Sequence, residues 1–496
     1  MVKSRAASYA TLTSCLVFML AVLLSTPAVV AQQRPERPRP PNEQAERAME
    51  RRAEQAIRRA ERVERQLPDV AQQAQSRVLE AMEQRLQGLA HAPGQQIRQP
   101  RLPTQLEVRD NRGQIRFQEI EIEPFVRIVQ QEWVLLTTEQ EFEALEGTNN
   151  PLLDYVQSRQ LLGSLNQQLL TLRVPTNLDS QSALEAMLPE PLQARLDRQH
   201  VYQLQSTQLQ SSQSQRSRFF GDDAADALSR PLSEVCDLPV KVGVIDTQAD
   251  DSHPIFQRAM TEKRIHQQLF LDSDGIASSS HGTAVSGLLT GYAENRLAPL
   301  LPNAHIYQAA VFYQQASTHQ GSRITDLLTG LNWLSESGVS VINLSLAGPP
   351  NNLLELAVRQ LTANGTTLVA AVGNQGPHAP PQYPAAYPDV IAVTAIDRSG
   401  RVYPWAVQGS HLDFSALGVN IDLPTAEGQW QLQSGTSLAT PVVTAFAACN
   451  QQHTPARTRA ALIDKAFSLN AGEHSTIVGS GLLHPSSLPS SDNPRN

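Results

Sequence analysis

Residues 434–441 read Ser-Gly-Thr-Ser-Leu-Ala-Thr-Pro. A serine set among Gly, Thr and Ala, just before an apolar helical run, is how a nucleophile is exposed at a helix N-terminus. The small neighbours let another backbone come close. The N–H groups of the first helical turn can face a developing negative charge. An ordinary N-cap serine has the same local look. What decides for Ser437 is whether the chain also supplies a base, an orienting acid and a second anion donor.

Three upstream segments supply them in order. Residues 240–246 read Val-Lys-Val-Gly-Val-Ile-Asp, a β-branched run that predicts a buried parallel strand with Asp246 at its C-terminal end. Open α/β sheets place their sites at that edge. Residues 281–291 read His-Gly-Thr-Ala-Val-Ser-Gly-Leu-Leu-Thr-Gly, a helix start with His281 in its first turn. Residues 368–376 read Leu-Val-Ala-Ala-Val-Gly-Asn-Gln-Gly, a second buried strand that ends in Gly373 and Asn374. Singly, Asp246 could be a cap, His281 a polar helix starter and Asn374 a turn residue. The order Asp, His, Asn, Ser argues against all of these together.

These residues carry a family likeness. The chain resembles a subtilisin-type serine peptidase (a subtilase) in segments 244–247, 281–283, 370–374 and 435–441. Residues 341–346, Val-Ile-Asn-Leu-Ser-Leu, resemble the family's substrate-lining strand, and 479–483 its closing Gly-x-Gly segment. The likeness covers residues 236–486. It implies an α/β, three-layer fold around a central parallel sheet, and a triad of Ser437 as nucleophile, His281 as base and Asp246 as the acid orienting it. The Asn374 side chain and the Ser437 backbone N–H would hold the oxyanion. Ser345, Leu346, Ala347, Gly348, Ala371 and Gly373 would line the substrate site. Their small, apolar character suggests a sizeable uncharged side chain before the cut. No cofactor is implied for the chemistry and no metal ligand is assigned.

Two positions depart from the family pattern. Gln248 stands where Gly often follows Asp-Thr, and Ala284 stands where a second His is common. Neither supplies a catalytic group. Asp250 and Asp251 follow the acid loop and could suggest a calcium ligand, but hard cations need six to eight oxygens. A solvated loop is the simpler reading, and a structural calcium stays open. An esterase of the α/β-hydrolase class would show Gly-x-Ser-x-Gly and the order Ser, Asp, His. Here Leu438 and Ala439 follow Ser437, and both partners precede it.

The 496-residue chain is long enough for several domains. Lys3 and Arg5, an apolar run over 15–24 and small residues up to Ala31 predict a signal peptide over 1–31. That run is too short to span a bilayer comfortably. The expectation is a secreted or periplasmic protein without stable membrane insertion. Residues 32–41, rich in Pro and Arg, read as disordered. Residues 42–90 are dense in Ala, Glu, Gln and Arg. Ala53, Ala56, Ala60, Val63 and Leu67 keep a three-four spacing, and Glu54–Arg58 and Glu61–Arg65 are favourable pairs. They read as amphipathic helices, either a solvated tether or a coiled coil for a helical partner. Of three cysteines, Cys15 leaves with the signal. Cys236 and Cys449 remain, and the sequence leaves open a bridge or two buried thiols.

Residues 105–205 show strands at 132–138, 169–174 and 200–205 and helices at 139–146 and 180–196. This is a small α+β domain. In front of a subtilisin-like domain it looks like the family's propeptide, which inhibits by laying its last strand in the active site. A non-inhibitory accessory domain is the alternative. Residues 206–235 read as a linker, with self-cleavage expected in its Ser/Gln-rich part over 206–218. Residues 487–496 form a tail. A net charge of −8 with no basic cluster in the catalytic half gives no reason to expect nucleic acid as a partner. The resulting expectation is an exported serine endopeptidase made as a self-inhibited zymogen, acting on proteins or peptides. The competing class is a binding protein built on an inactive or permanently inhibited protease fold.

Overall fold

Val-Gly-Val-Ile, Val-Ile-Asn-Leu and Leu-Val-Ala-Ala are runs that only a sheet buried on both faces can use, and they lie side by side at its centre. The structure, a computed structural model, describes residues 102–204, 220, 222–271, 277–316, 319–452, 454–468 and 474–487. The expected signal peptide, the 32–41 and 42–90 segments, residues 206–218 and the last nine residues lie outside these.

The N-terminal part contains strands β1 (Gln105–Arg109), β2 (Ile115–Glu123), β3 (Val126–Thr137), β4 (Val156–Leu162), β5 (Gln167–Arg173) and β6 (Leu196–Leu204). Helix α1 (Glu139–Gly147) starts on a capping box. Thr138 Oγ1 accepts from the Glu141 N–H at 3.3 Å, and Glu141 Oε2 accepts from the Thr138 N–H at 2.7 Å. The helix expected over 180–196 is instead two short ones, α2 (Gln181–Glu185) and α3 (Glu190–Gln193). Pro189 keeps Leu188 from continuing the first, and Leu196 already belongs to β6.

Then come α4 (Asp222–Ser229), β7 (Lys241–Asp246), α5 (Gln257–Thr261), β8 (Ile265–Leu269), α6 (Ser280–Thr290), β9 (His305–Ala310), β10 (Tyr313–Ala316), β11 (His319–Arg323), α7 (Ile324–Glu336), β12 (Val341–Leu344) and β13 (Leu346–Ala347). They are followed by α8 (Asn352–Ala363), β14 (Thr367–Ala371), β15 (Val390–Ile396), β16 (Phe414–Leu417), β17 (Ile421–Pro424), β18 (Trp430–Gln433), α9 (Thr436–Cys449) and α10 (Pro455–Ile463). The stretch expected as linker is therefore helical over α4. Ala224 and Leu228 pack with Phe220 against Ile396, Leu417, Val478 and Leu482.

The central sheet has the order β16-β15-β14-β12-β7-β9-β8, and every neighbouring pair is parallel. Helix α9 packs on it through Val442, Val443, Phe446 and Ala447, all fully buried. A second, nine-stranded sheet joins the N-terminal strands to the hairpin β10–β11 and to β13. Cys236 and Cys449 are disulfide-bonded, with Cα atoms 6.1 Å apart. The bridge ties the strand-bound entry of the peptidase region to the far end of the Ser437 helix.

Candidate active site

Three elements converge on one point. Strand β7 lies between β9 and β12 and ends on Asp246. Helix α6 brings His281 as its second residue, and α9 brings Ser437 as its second. His281 Nδ1 is 2.7 Å from Asp246 Oδ1 and 2.9 Å from Oδ2. A carboxylate only accepts, so Nδ1 carries the proton. In the neutral ring Nε2 is then an acceptor. The Ser437 hydroxyl lies 3.0 Å from that Nε2 and donates to it. Asp246 and Ser437 are wholly buried and His281 nearly so.

Polar groups that leave no mark in the sequence hold this relay. Asp246 Oδ1 also accepts from the Thr247 N–H at 2.7 Å. Thr247 Oγ1 accepts from the Gly282 N–H at 2.8 Å, and Gln308 Nε2 donates to the Thr247 carbonyl at 2.6 Å. Ser286, one turn along α6, donates to Gln308 Oε1 at 2.7 Å. The helix and the acid loop are so close that a Cβ on residue 282 would sit 2.4 Å from the Gln248 carbonyl oxygen. Glycine is required there by contact. The only signal in the sequence was the Gly of His-Gly-Thr itself.

Asn374 follows β14. Its carboxamide oxygen accepts from the Thr436 N–H at 3.2 Å and from Thr436 Oγ1 at 3.0 Å. The oxygen end is thereby turned to the residue before Ser437. Asp250, beside the acid loop, accepts from the Ser252 N–H and Oγ and, through Oδ2, from the Glu427 N–H. Desolvation raises its carboxyl, and these hydrogen bonds outweigh it and hold it below the usual value. Asp251 accepts from Gln267 Nε2.

Of the residues expected to line the substrate site, Leu346, Ala347 and Gly348 lie along β6. Leu346 and Ala347 pair antiparallel with Leu204 and Gln203. On the other side of β6, Gly321, Ser322 and Arg323 of β11 pair with Gln203, Tyr202 and Val201. Tyr202 lies against Gly348, is fully buried, and donates to the Pro349 carbonyl at 3.1 Å. Ser345 is placed differently: its hydroxyl points to the Ser437 carbonyl. Ala371 ends β14 beside β12, and Gly373 accepts from the Val407 N–H through its carbonyl.

A parallel α/β sheet whose C-terminal edge joins Asp, His and Ser in a hydrogen-bonded line defines the class of the protein. Residues 239–481 match the model of the subtilase family. The chain is 31% identical over 255 residues to a subtilisin of Bacillus pumilus, covering 50% of this chain and 88% of that protein. It is 33% identical over 252 residues to subtilisin E of Bacillus subtilis (strain 168), covering 49% of this chain and 64% of that one. Among solved structures it shares its fold with fervidolysin from Fervidobacterium pennivorans, described as a keratinolytic enzyme related to subtilisin. The TM-score is 0.55 at 18% identity, over 74% of this chain and 62% of that one. The chain belongs to the subtilase family.

Proposed function

We propose that this protein is a serine endopeptidase, exported and made in a self-inhibited form. The observation that carries the activity is the Asp246–His281–Ser437 line, with its contacts of 2.7 and 3.0 Å. Ser437 Oγ attacks a peptide carbonyl as His281 Nε2 takes its proton. The oxyanion is held by the Ser437 N–H and the Asn374 amide. Collapse expels the amine, which takes the proton back from His281, and leaves an acyl-enzyme that water hydrolyses by the same steps.

Self-inhibition is supported by β6, which lies between β11 and β13 with Leu204 opposite Leu346. An extended chain in that groove excludes another substrate by occupancy. The disulfide supports export, since such bonds persist in oxidising compartments. Among the described residues no helix is long and apolar enough to cross a membrane.

The test is labelling with a fluorophosphonate. The chain is expected to react and Ser437→Ala is not. Equal labelling of both would sink the activity. A permanently inhibited binding protein is the second reading, favoured by the same occupied groove. Intact-mass analysis separates them: a zymogen yields fragments divided within 206–218, and the binding protein stays whole after signal removal.

A further inference from the structure

Helix α9 contains a proline, Pro441, six residues after Gly435 leaves the loop and four after Ser437. In an unbroken helix the N–H of residue 441 would bond to the carbonyl of residue 437. Proline has no N–H, and its ring crowds that carbonyl away from the helix axis. The Ser437 carbonyl is met from outside the helix. Ser345 Oγ donates to it at 2.9 Å. Ser345 Oγ in turn accepts from Asn343 Nδ2 at 2.9 Å, and Asn343 Oδ1 accepts from Thr444 Oγ1 at 3.0 Å. Ser345, Asn343, Thr444 and Ser437 are all fully buried.

The polarity of this chain is forced. The Thr444 hydroxyl points at the Asn343 oxygen, so the amide N–H end faces Ser345. Ser345 accepts there, so its own hydrogen goes to the Ser437 carbonyl, which can only accept. The path starts and ends on α9, and between those points it crosses the end of β12. It couples the nucleophile's backbone to the central sheet.

We propose that Ser345, held by Asn343 and Thr444, is a positioning residue for the nucleophile, and that Pro441 is what makes Ser437 depend on it. Fixing the Ser437 carbonyl fixes ψ at residue 437. That sets where Oγ stands relative to His281 Nε2, 3.0 Å away. This rests on the peptidase reading above. A purely structural role for Ser345, satisfying a buried carbonyl, would have a different signature. The two separate in a double variant, because Pro441→Ala supplies the helical N–H that the carbonyl lacks.

The experiment measures thermal midpoint and fluorophosphonate labelling rate for the parent chain, Ser345→Ala, Pro441→Ala and the double variant. It adds kcat and KM on one chromogenic peptide. Ser345→Ala is expected to label about 10–100-fold more slowly, the size of loss that a displaced reacting group brings. The fall should lie in kcat, with KM unchanged. In the double variant the helical N–H satisfies the carbonyl on the helix axis and not where Ser345 holds it, so the thermal midpoint should recover while labelling remains slow. Recovery of rate together with midpoint would overturn the proposal, and so would a Ser345→Ala chain that labels as fast as the parent. If Ser345→Ala does not fold, Thr444→Val releases the far end of the path. It should slow labelling in the same direction by less, and an unchanged rate would overturn the idea. If the parent itself fails to label, the peptidase reading falls first, and this inference with it.

Discussion

Glu119 on β2 has no exposed surface, and donors from three other strands converge on it. Arg127 of β3 donates to Oε2 at 2.9 Å; Tyr313 of β10 and His319 of β11 donate to Oε1 at 2.6 and 2.8 Å. The last two come from the peptidase region. Phe117, Val108, Val129, Val201 and the Tyr313 ring seal the group in an apolar cluster. In Glu119→Gln an amide N–H₂ must face either Arg127 or the Tyr313–His319 pair, donor against donor. Either way the two bonds across the interface are broken or lose the charge that strengthens them, a loss of about 3 kcal/mol, or roughly 150-fold in affinity. Burial pushes the Glu119 carboxyl up, but the His319 charge and hydrogen bond, then Arg127 and Tyr313, outweigh it and hold it at about 2 against an ordinary 4.5. The assay uses a Ser437→Ala chain carrying a site-specific protease sequence within 206–218. The chain is nicked by that protease, and the dissociation constant of the two halves is read by dilution. Glu119→Gln should raise it about 150-fold, with smaller rises for Tyr313→Phe and His319→Leu. An unchanged constant in Glu119→Gln would refute the reasoning. The sign of the pH effect follows. The carboxyl titrates lower when docked than when free. Its contribution is therefore complete above about 4.5 and lost as pH falls towards 2. Acid should loosen the halves in that window, and Glu119→Gln should lack this part of the response.

Other outcomes follow from single contacts. Asp246→Asn would present an N–H₂ to His281 Nδ1, favour the wrong tautomer and cut kcat by about 10⁴-fold, the loss known for the equivalent change in a trypsin-type triad; steady-state kinetics checks it, and a loss below tenfold would count against Asp246 as the orienting acid. Gly282→Ala forces the acid loop away from α6 and should lower stability by about 1–3 kcal/mol, as overpacking does, with activity falling further than stability; denaturant unfolding beside labelling rates reads both. Cys449→Ala opens a cross-link between residues 213 apart in sequence and should cost about 5 kcal/mol in the chain-entropy model, seen as a lower unfolding midpoint.

What the sequence disclosed were elements whose chemistry is local. Asp246, His281 and Ser437 each sit at the start or end of a regular element, beside small residues, and such edges leave a mark in the chain. The polar groups behind them leave none. Gln308 lies mid-strand in His-Ile-Tyr-Gln-Ala-Ala and reads as an ordinary interruption, yet it joins Thr247 to Ser286. Ser345 read as part of the substrate wall, because only the packing of β12 against α9 shows what its hydroxyl meets. Strands β1 and β2 leave no clear pattern for a related reason. In Ile-Arg-Phe-Gln-Glu-Ile-Glu-Ile-Glu the buried face carries Phe117 and then Glu119, so the apolar alternation fails at the residue that binds across the interface. A buried carboxylate with two of its three partners about 200 residues away cannot be told from a solvated one by its neighbours.

The run Trp133-Val134-Leu135-Leu136 also has two meanings that only packing separates. Trp133 and Leu135 face the N-terminal region's own helices and meet Phe142, Leu145, Leu184 and Leu192. Val134 and Leu136 point the other way, as a period of two requires. They share a core with Leu162, Leu165 and Leu169 and with the peptidase helices. Ser164 beside them donates through its N–H and Oγ to Asn332 on α7 at 2.9 Å. A sheet apolar on both faces is stable only while both are covered. Under the proposed zymogen reading, the Glu119 cluster therefore governs only the edge of the contact. Opening that edge would bare the Val134 and Leu136 face to water. The released region would then be less stable than the docked one and open to proteolysis, so departure would be hard to reverse. Re-docking should fail once the freed fragment has been exposed to the active peptidase, and should succeed when Ser437→Ala removes that activity. Equal recovery in both cases would show that the bared face does not mark the fragment for cutting.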